Sequence, residues 1–171
     1  QKAIQNLDQY LVEFETAYQK GRGKIYWAYN DDDAFQYLIK IIEATEHRNV
    51  VLNNGPLLKE LKLNDRIGNR AQINELDCVS NNQDYSYITG AVFFSADFPS
   101  AFLNSQGASK HFANQDASVV LLVSIDQLVA SIVDINSLAQ IVSVAQTDTF
   151  ELVSLLSKNR LHVIIVDNGR S

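Results

Sequence analysis

Two apolar segments, "SVVLLV" at residues 118–123 and "LHVIIV" at residues 161–166, decide the fold class of this chain. Strands that are buried on both faces of a parallel sheet consist of such nearly continuous apolar runs. A shorter segment of the same kind, "NVVLN", occupies residues 49–53, and "KIYWAY" at residues 24–29 is rich in aromatic and β-branched residues. These four segments predict the strands of a largely parallel sheet.

Amphipathic helices alternate with these strands. Residues 3–20 place apolar side chains at spacings of three and four: Ile4, Leu7, Leu11, Phe14 and Ala17. A second helix is predicted to begin after Asn30, because Asn is a favoured N-cap and the acids at 31–33 suit the positive end of a helix dipole. The order of strands and helices predicts an α/β fold, a three-layer α/β/α sandwich, and one domain over residues 1–171.

The remaining segments are predicted from composition. Strands are expected at residues 90–94 and 101–105, and residues 106–117 are expected to form a polar connection. A helix is expected over residues 55–67, one or two helices over 124–143, and a further helix over 150–158.

Composition limits the function classes. The formal net charge is −6 and the pI is near 4.9, which argues against nucleic acid because its binding requires a basic surface. The longest apolar run has about nine residues, whereas a membrane-spanning helix needs about twenty. Cys78 is the single cysteine, and His47, His111 and His162 lack metal-ligand spacing, so neither a disulfide nor a metal site is predicted. No signal-like segment is recognised at the start, and a cytoplasmic location is expected.

Ligands of such sheets bind at the carboxyl edge, where strands end and helices begin. The loops expected there are residues 53–56, 95–100, 146–149 and 167–171. Their polar and flexible residues are the predicted ligand-binding set: Asn53, Asn54, Gly55, Asp97, Ser100, Thr147, Asp167, Asn168 and Arg170.

Two of these residues have a structural alternative. Arg170 could bind a carboxylate or a phosphate through two parallel hydrogen bonds, or it could form an ion pair that fixes the end of the chain. Asp97 could be a site carboxylate or could cap the end of a strand through local N–H groups. Ser100 lacks the G-x-S-x-G context of a nucleophile, and no catalytic residue is predicted.

Four segments resemble the lactate-utilisation (LUD) domain family. They are "GRGKIYWA" at 21–28, "KELKLND" at 59–65, "ITGAVFFSADFPS" at 88–100 and "LHVIIVDNGRS" at 161–171. The resemblance implies a three-layer fold similar to ribose-isomerase and CoA-transferase-like proteins, and a role in bacterial operons that oxidise lactate to pyruvate. It also implies an iron–sulfur partner protein, because a chain with one cysteine cannot itself hold a ferredoxin-like cluster.

The chain departs from the family pattern in its loops. The K-S-K-S-M loop corresponds to "LNNGP" at 52–56, so two lysines are replaced by amides. The A-D-T-G-T loop corresponds to "ADFPS" at 96–100, where Pro99 removes an N–H donor from the position of a glycine. The G-P-S-R-T-x-D-I-E segment corresponds to "SVAQTDTFE" at 143–151 and lacks the arginine. These losses indicate a divergent member with an altered site.

Three functions remain open at this point. The first is an accessory protein of lactate or organic-acid utilisation that binds a small carboxylate or phosphate. The second is an isomerase or CoA-transferase-like enzyme that acts on a small acid or phosphate ester. The third is a structural interaction module, such as a homodimer. No cofactor is predicted.

Overall fold

The computed structural model describes residues 7–19, 23–44, 49–53, 66, 72–74, 85–97, 99–103, 108–114, 117–131, 133, 151–155 and 160–167. In chain order its elements are α1 (Leu7–Gln19), β1 (Lys24–Ala28), α2 (Asp31–Glu43), β2 (Asn49–Leu52), β3 (Gln72–Asn74), β4 (Tyr85–Gly90), β5 (Phe93–Ser95), β6 (Ser100–Leu103), α3 (Ala108–Ala113), β7 (Ala117–Ser124), β8 (Leu128–Val129), β9 (Glu151–Ser154) and β10 (Leu161–Val166). A short 3₁₀ turn, Ile125–Gln127, joins β7 to β8.

The large sheet is parallel throughout its described strands. Its order is β1-β10-β7-β4-β2-β3, and every pairing between neighbours is parallel. β7 and β10, the two apolar runs of the sequence, lie side by side, and the side chains of Val119 to Val123 and of Val163 to Val166 are almost fully buried. The predicted α/β fold with a mostly parallel sheet is confirmed.

Each face of this sheet packs against a separate apolar cluster. Residues such as Val120, Leu122 and Ile164 face α2, whose buried side chains include Phe35, Leu38, Ile41 and Ile42. Residues such as Leu121 and Val163 face the other way, toward Phe14 and Tyr18 of α1 and Phe112 of α3. The sheet is therefore the middle layer.

The start of α2 follows the predicted capping. The Asn30 side chain accepts a hydrogen bond from the Asp33 N–H at 2.8 Å, and the Asp33 carboxylate accepts one from the Tyr29 N–H at 3.2 Å. The first bond satisfies a donor that the first turn of a helix leaves unpaired, and the second fixes the residue before the cap. The acid run at 31–33 is thus explained by the beginning of a helix.

A second, smaller sheet packs over the α1 side of the large one. Its order is β8-β5-β6-β9, with β5 and β6 antiparallel and β8 parallel to β5. Phe94 of β5 is fully buried, and its ring meets that of Phe14 edge to face, with 5.2 Å between ring centroids.

The pairing of these strands into a second sheet was not predicted, and three sequence predictions are wrong in or near it. The helical prediction for 124–143 is wrong at β8, although Ile125–Gln127 forms a 3₁₀ turn and Val133 is helical. The helix expected over 150–158 is wrong at β9, which is a strand. The connection expected over 106–117 contains the helix α3. Short apolar segments fit either helix or strand by pattern, and here pairing with β5 and β6 decides in favour of strand.

The predicted strand at 90–94 is divided between the two sheets. β4 ends at Gly90 and β5 begins at Phe93, so the chain leaves the parallel sheet at Ala91 and Val92. The helix predicted over 55–67 lies outside the described residues except for Arg66, and the one-domain assignment stays a prediction. None of the helices in the described part of the chain is long and apolar enough to cross a membrane.

Candidate functional site

The carboxyl edge of the parallel sheet brings several polar residues into one row. Because the strands run in the same direction, Asn53 after β2, Thr89 at the end of β4, Ser124 at the end of β7 and Asp167 after β10 all lie at this edge. Ligands of open α/β sheets bind at such an edge.

Asn53 is held by β4. Its backbone N–H donates to the Ile88 carbonyl at 2.9 Å, and its side-chain amide donates to the Thr89 hydroxyl at 2.8 Å. The Thr89 hydroxyl in turn donates to the Gly90 carbonyl at 2.9 Å. The Asn53 amide is therefore oriented before any ligand arrives, which reduces the entropy lost on binding.

Gln127 connects the two sheets at the same edge. Its side-chain oxygen accepts from the Ser124 N–H at 2.8 Å, and its side-chain nitrogen donates to the Ala91 carbonyl at 2.6 Å. Gln127 was not among the predicted site residues. The signal was present, since Ser124 followed three residues later by Gln127 is a capping box.

Asp167 occupies the end of β10, between β1 and β7. Its backbone N–H donates to the Ala28 carbonyl at 2.8 Å, which fixes the position of the residue. One carboxylate oxygen, Oδ1, is buried and has no hydrogen-bond partner among the described residues. A buried acceptor of this kind is costly unless it receives a donor. Among the described residues of this edge, Asp167 therefore has a buried acceptor that lacks a hydrogen-bond donor.

The described part of the edge is acidic. The run at 31–33 begins α2 beside the end of β1, Asp126 follows β7, and Asp167 follows β10. Arg66 pairs with Asp32 at 2.7 Å and stacks over the Phe35 ring, with 4.2 Å from Cζ to the ring centroid. This edge favours ligand groups that donate hydrogen bonds, and an anionic group on the same ligand needs donors from neighbouring segments.

The structure places the other predicted site residues as follows. Asp97 lies exposed in the turn of the β5–β6 hairpin, where its N–H donates to the Ala130 carbonyl at 3.2 Å. Ser100 lies in β6 opposite Ser95 and is 2% exposed, so residues 95–100 do not display its hydroxyl in an open loop, contrary to expectation. Asn54, Gly55, Thr147, Asn168 and Arg170 lie outside the described residues.

Asn53 and Asp167 share the edge without touching. The strands that precede them are separated by β4 and β7, which corresponds to roughly 14 Å at the usual spacing between strands. Asp97 and Ser100 lie in the β5–β6 hairpin of the small sheet. Of the four described candidates, two therefore lie at the carboxyl edge of the large sheet and two lie in the hairpin.

The two described histidines lie elsewhere. His111 of α3 is 3% exposed, stacks on Tyr87 with 4.1 Å between centroids, and has its Nδ1 2.7 Å from the Tyr85 hydroxyl. This contact attaches α3 to the amino end of β4. His162 lies in β10, as the sequence predicts for a strand residue. Within the described ranges, no three His, Cys, Asp or Glu residues are grouped as a metal site would require.

Comparison with known proteins identifies the fold. No family model matches the chain, and no curated protein matches it significantly. A solved structure of a DUF162 family protein from Deinococcus radiodurans is similar, with a TM-score of 0.69 and 14% sequence identity over 94% of this chain and 98% of that chain. The delta subunit of eIF2B from Chaetomium thermophilum matches with a TM-score of 0.41 and 14% identity, over 91% of this chain and 55% of that one. The first likeness shows a shared fold, and the second carries no argument.

Proposed function

We propose that this chain is a divergent LUD-like domain that binds a small carboxylate or phosphate compound at the carboxyl edge of its parallel sheet. Two observations support the family: the four motif segments, and the fold shared with a DUF162 protein, which is the LUD-like domain. The protein would act in the cytoplasm as an accessory component of bacterial lactate or organic-acid utilisation. Its partner would be an iron–sulfur protein.

The observation that carries the binding site is the buried Oδ1 of Asp167. A ligand hydroxyl that donates to this oxygen would supply the missing hydrogen bond. Arg170, three residues further along the chain, is the predicted contact for the anionic group. The ligand should therefore carry both a hydroxyl and an anionic group, as a hydroxy acid or a hydroxylated phosphate ester does.

Binding is favoured over catalysis by the hydrogen bonds of the edge. The Thr89 hydroxyl is fully buried and is engaged with Asn53 and Gly90. Nucleophilic catalysis requires an activating base within hydrogen-bond distance of the nucleophile. The described edge residues show no such pair, so they do not support the isomerase or CoA-transferase-like alternative.

Thermal denaturation with matched ligands tests this proposal. Lactate is expected to raise the melting temperature saturably, because a ligand that binds only the native state stabilises it by mass action. Propionate has the same carboxylate without the hydroxyl and is expected to have no saturable effect. Glycerol phosphate tests the phosphate class in the same way.

Variants locate the effect. Asp167→Ala removes the acceptor and should abolish the ligand-induced shift, whereas Asp126→Ala, the same substitution at an exposed carboxylate of the neighbouring strand end, should preserve it. The proposal is overturned if no hydroxylated anion gives a saturable shift, or if the shift survives in Asp167→Ala.

A further inference from the structure

A cluster of aromatic and cationic side chains lies at the opposite end of the sheet. Tyr26 of β1 contacts Tyr37 of α2, with 5.2 Å between ring centroids, and contacts His162 of β10 at 5.9 Å. The Tyr26 hydroxyl lies 3.1 Å from Nδ1 of His162. All three rings are half-buried, so each presents part of its surface to solvent.

Two cations adjoin this cluster. Lys24 is the register partner of His162 across the β1–β10 pair, so their side chains lie on the same face of the sheet. Arg160 precedes His162 by two residues. Burial lowers the pKa of His162, the charges of Lys24 and Arg160 lower it as well, and together these causes bring it to about 4.

The described neighbours of Lys24 do not neutralise its charge. On the β7 side the register partner of His162 is Val120, which is apolar. The last turn of α2 carries Lys40 and Glu43, both exposed. Within the described part of the chain, no carboxylate lies at ion-pair distance from Lys24.

The hydrogen bond to Tyr26 allows His162 the tautomer with its proton on Nε2. Burial raises the pKa of Tyr26, so its hydroxyl stays protonated and can donate to Nδ1. A neutral imidazole that accepts at Nδ1 carries its proton on Nε2. In this tautomer the cluster offers an N–H donor on the face of the sheet that carries Lys24.

We propose that this end of β1 and β10 is a second ligand site, which binds a small oxyanion between the Lys24 ammonium and the Nε2–H group of His162. The rings of Tyr26 and Tyr37 form its wall. This site is separate from the carboxyl edge, because Asp167 lies five residues beyond His162, roughly 16 Å along the strand. Binding here does not depend on the function proposed for Asp167.

The pKa of His162 can be used to measure whether an anion occupies this site. An anion beside His162 opposes the effect of the two cations and favours the protonated ring, so binding raises the pKa of His162. Sulfate is the probe, because it keeps its charge across the whole titration. The ring proton signals are followed by NMR in sulfate and in chloride at equal ionic strength, and His162 is identified by the signals lost in His162→Gln.

We expect sulfate to raise the pKa of His162 by about one unit or more relative to chloride. Lys24→Gln should abolish this difference, and in chloride it should raise the pKa of His162 slightly because a nearby cation is lost. Lys110→Gln, which removes an exposed lysine of α3, should leave the sulfate effect intact. The proposal is overturned if His162 titrates alike in both salts, or if the sulfate effect persists in Lys24→Gln. Asp167→Ala should leave it unchanged.

Discussion

The two sheets of this protein differ in how their strands are buried. In the large sheet, β7 has eight residues, and seven of them are buried, because α2 covers one face and α1, α3 and the small sheet cover the other. In the small sheet the strands have two to four residues, and the outer strand β9 leaves Leu152 43% exposed beside the buried Val153. The large sheet therefore holds the core, whereas the small sheet depends on packing against it through residues such as Phe94.

The largest expected difference is between two leucines of different burial, Leu121 of β7 and Leu152 of β9. Leu121→Ala in β7 should lower the free energy of unfolding by about 3–4 kcal/mol, because it leaves a cavity in a fully buried region. Leu152→Ala in β9 should cost less than about 1 kcal/mol. Urea denaturation of both variants measures the two losses. Equal losses would show that the small sheet is as much a part of the core as the large one.

Acid should weaken the large sheet through His162. The folded-state pKa is about 4, below the ordinary value of 6.5, so between these values the unfolded chain binds the proton and the folded protein does not. The free energy of unfolding should therefore fall as pH falls from 6.5 toward 4. After allowance for solvent screening of the half-buried ring, about 1–2 kcal/mol of this loss belongs to His162.

Urea denaturation at several pH values measures this dependence. His162→Gln is the matched variant, and its stability should vary less between pH 6.5 and pH 4.5 than that of the unaltered protein. Parallel curves for the two proteins would contradict the assignment.

The junction between the sheets should have a smaller effect. Gln127→Ala removes both side-chain hydrogen bonds, to the Ser124 N–H and to the Ala91 carbonyl, and should cost about 1 kcal/mol. Gln127→Glu keeps the acceptor for Ser124 and loses the donor to Ala91. Hydrogen exchange of the Ser124 amide should therefore accelerate in Gln127→Ala and change less in Gln127→Glu. Unchanged exchange of the Ser124 amide in both variants would show that Gln127 does not hold the junction together.

The smallest effect is expected at the hairpin turn. Asp97→Ala changes an exposed residue and should alter the free energy of unfolding by less than about 0.5 kcal/mol. It should also leave the lactate-induced rise in melting temperature intact, because Asp97 belongs to the small sheet and Asp167 to the large one. Loss of that rise in Asp97→Ala would show that the hairpin turn belongs to the ligand site.

Elements of the large sheet were predicted from the sequence more successfully than strands of the small sheet. β7, β10 and α2 were predictable because burial on both faces of a sheet gives an uninterrupted apolar run, and because Asn30 and the following acids carry a local capping signal. β8 and β9 were not, because a segment of two to four residues has too few positions to show a period. Asn53 and Asp167 were placed at the edge because parallel strands align their ends.

The sequence alone determined the α/β class, the strands β1, β2, β7 and β10, the Asn30 cap of α2 and the resemblance to the LUD family, since each depends on neighbouring residues or on spacing along the chain. Only the tertiary structure decided that Ser100 is buried in a strand, that Asp97 is exposed in a turn, and that Gln127 joins the two sheets. It also brought Tyr26 onto His162, 136 positions further along the chain. Such contacts depend on which strands pair, and strand pairing is set by packing between segments that are distant in sequence.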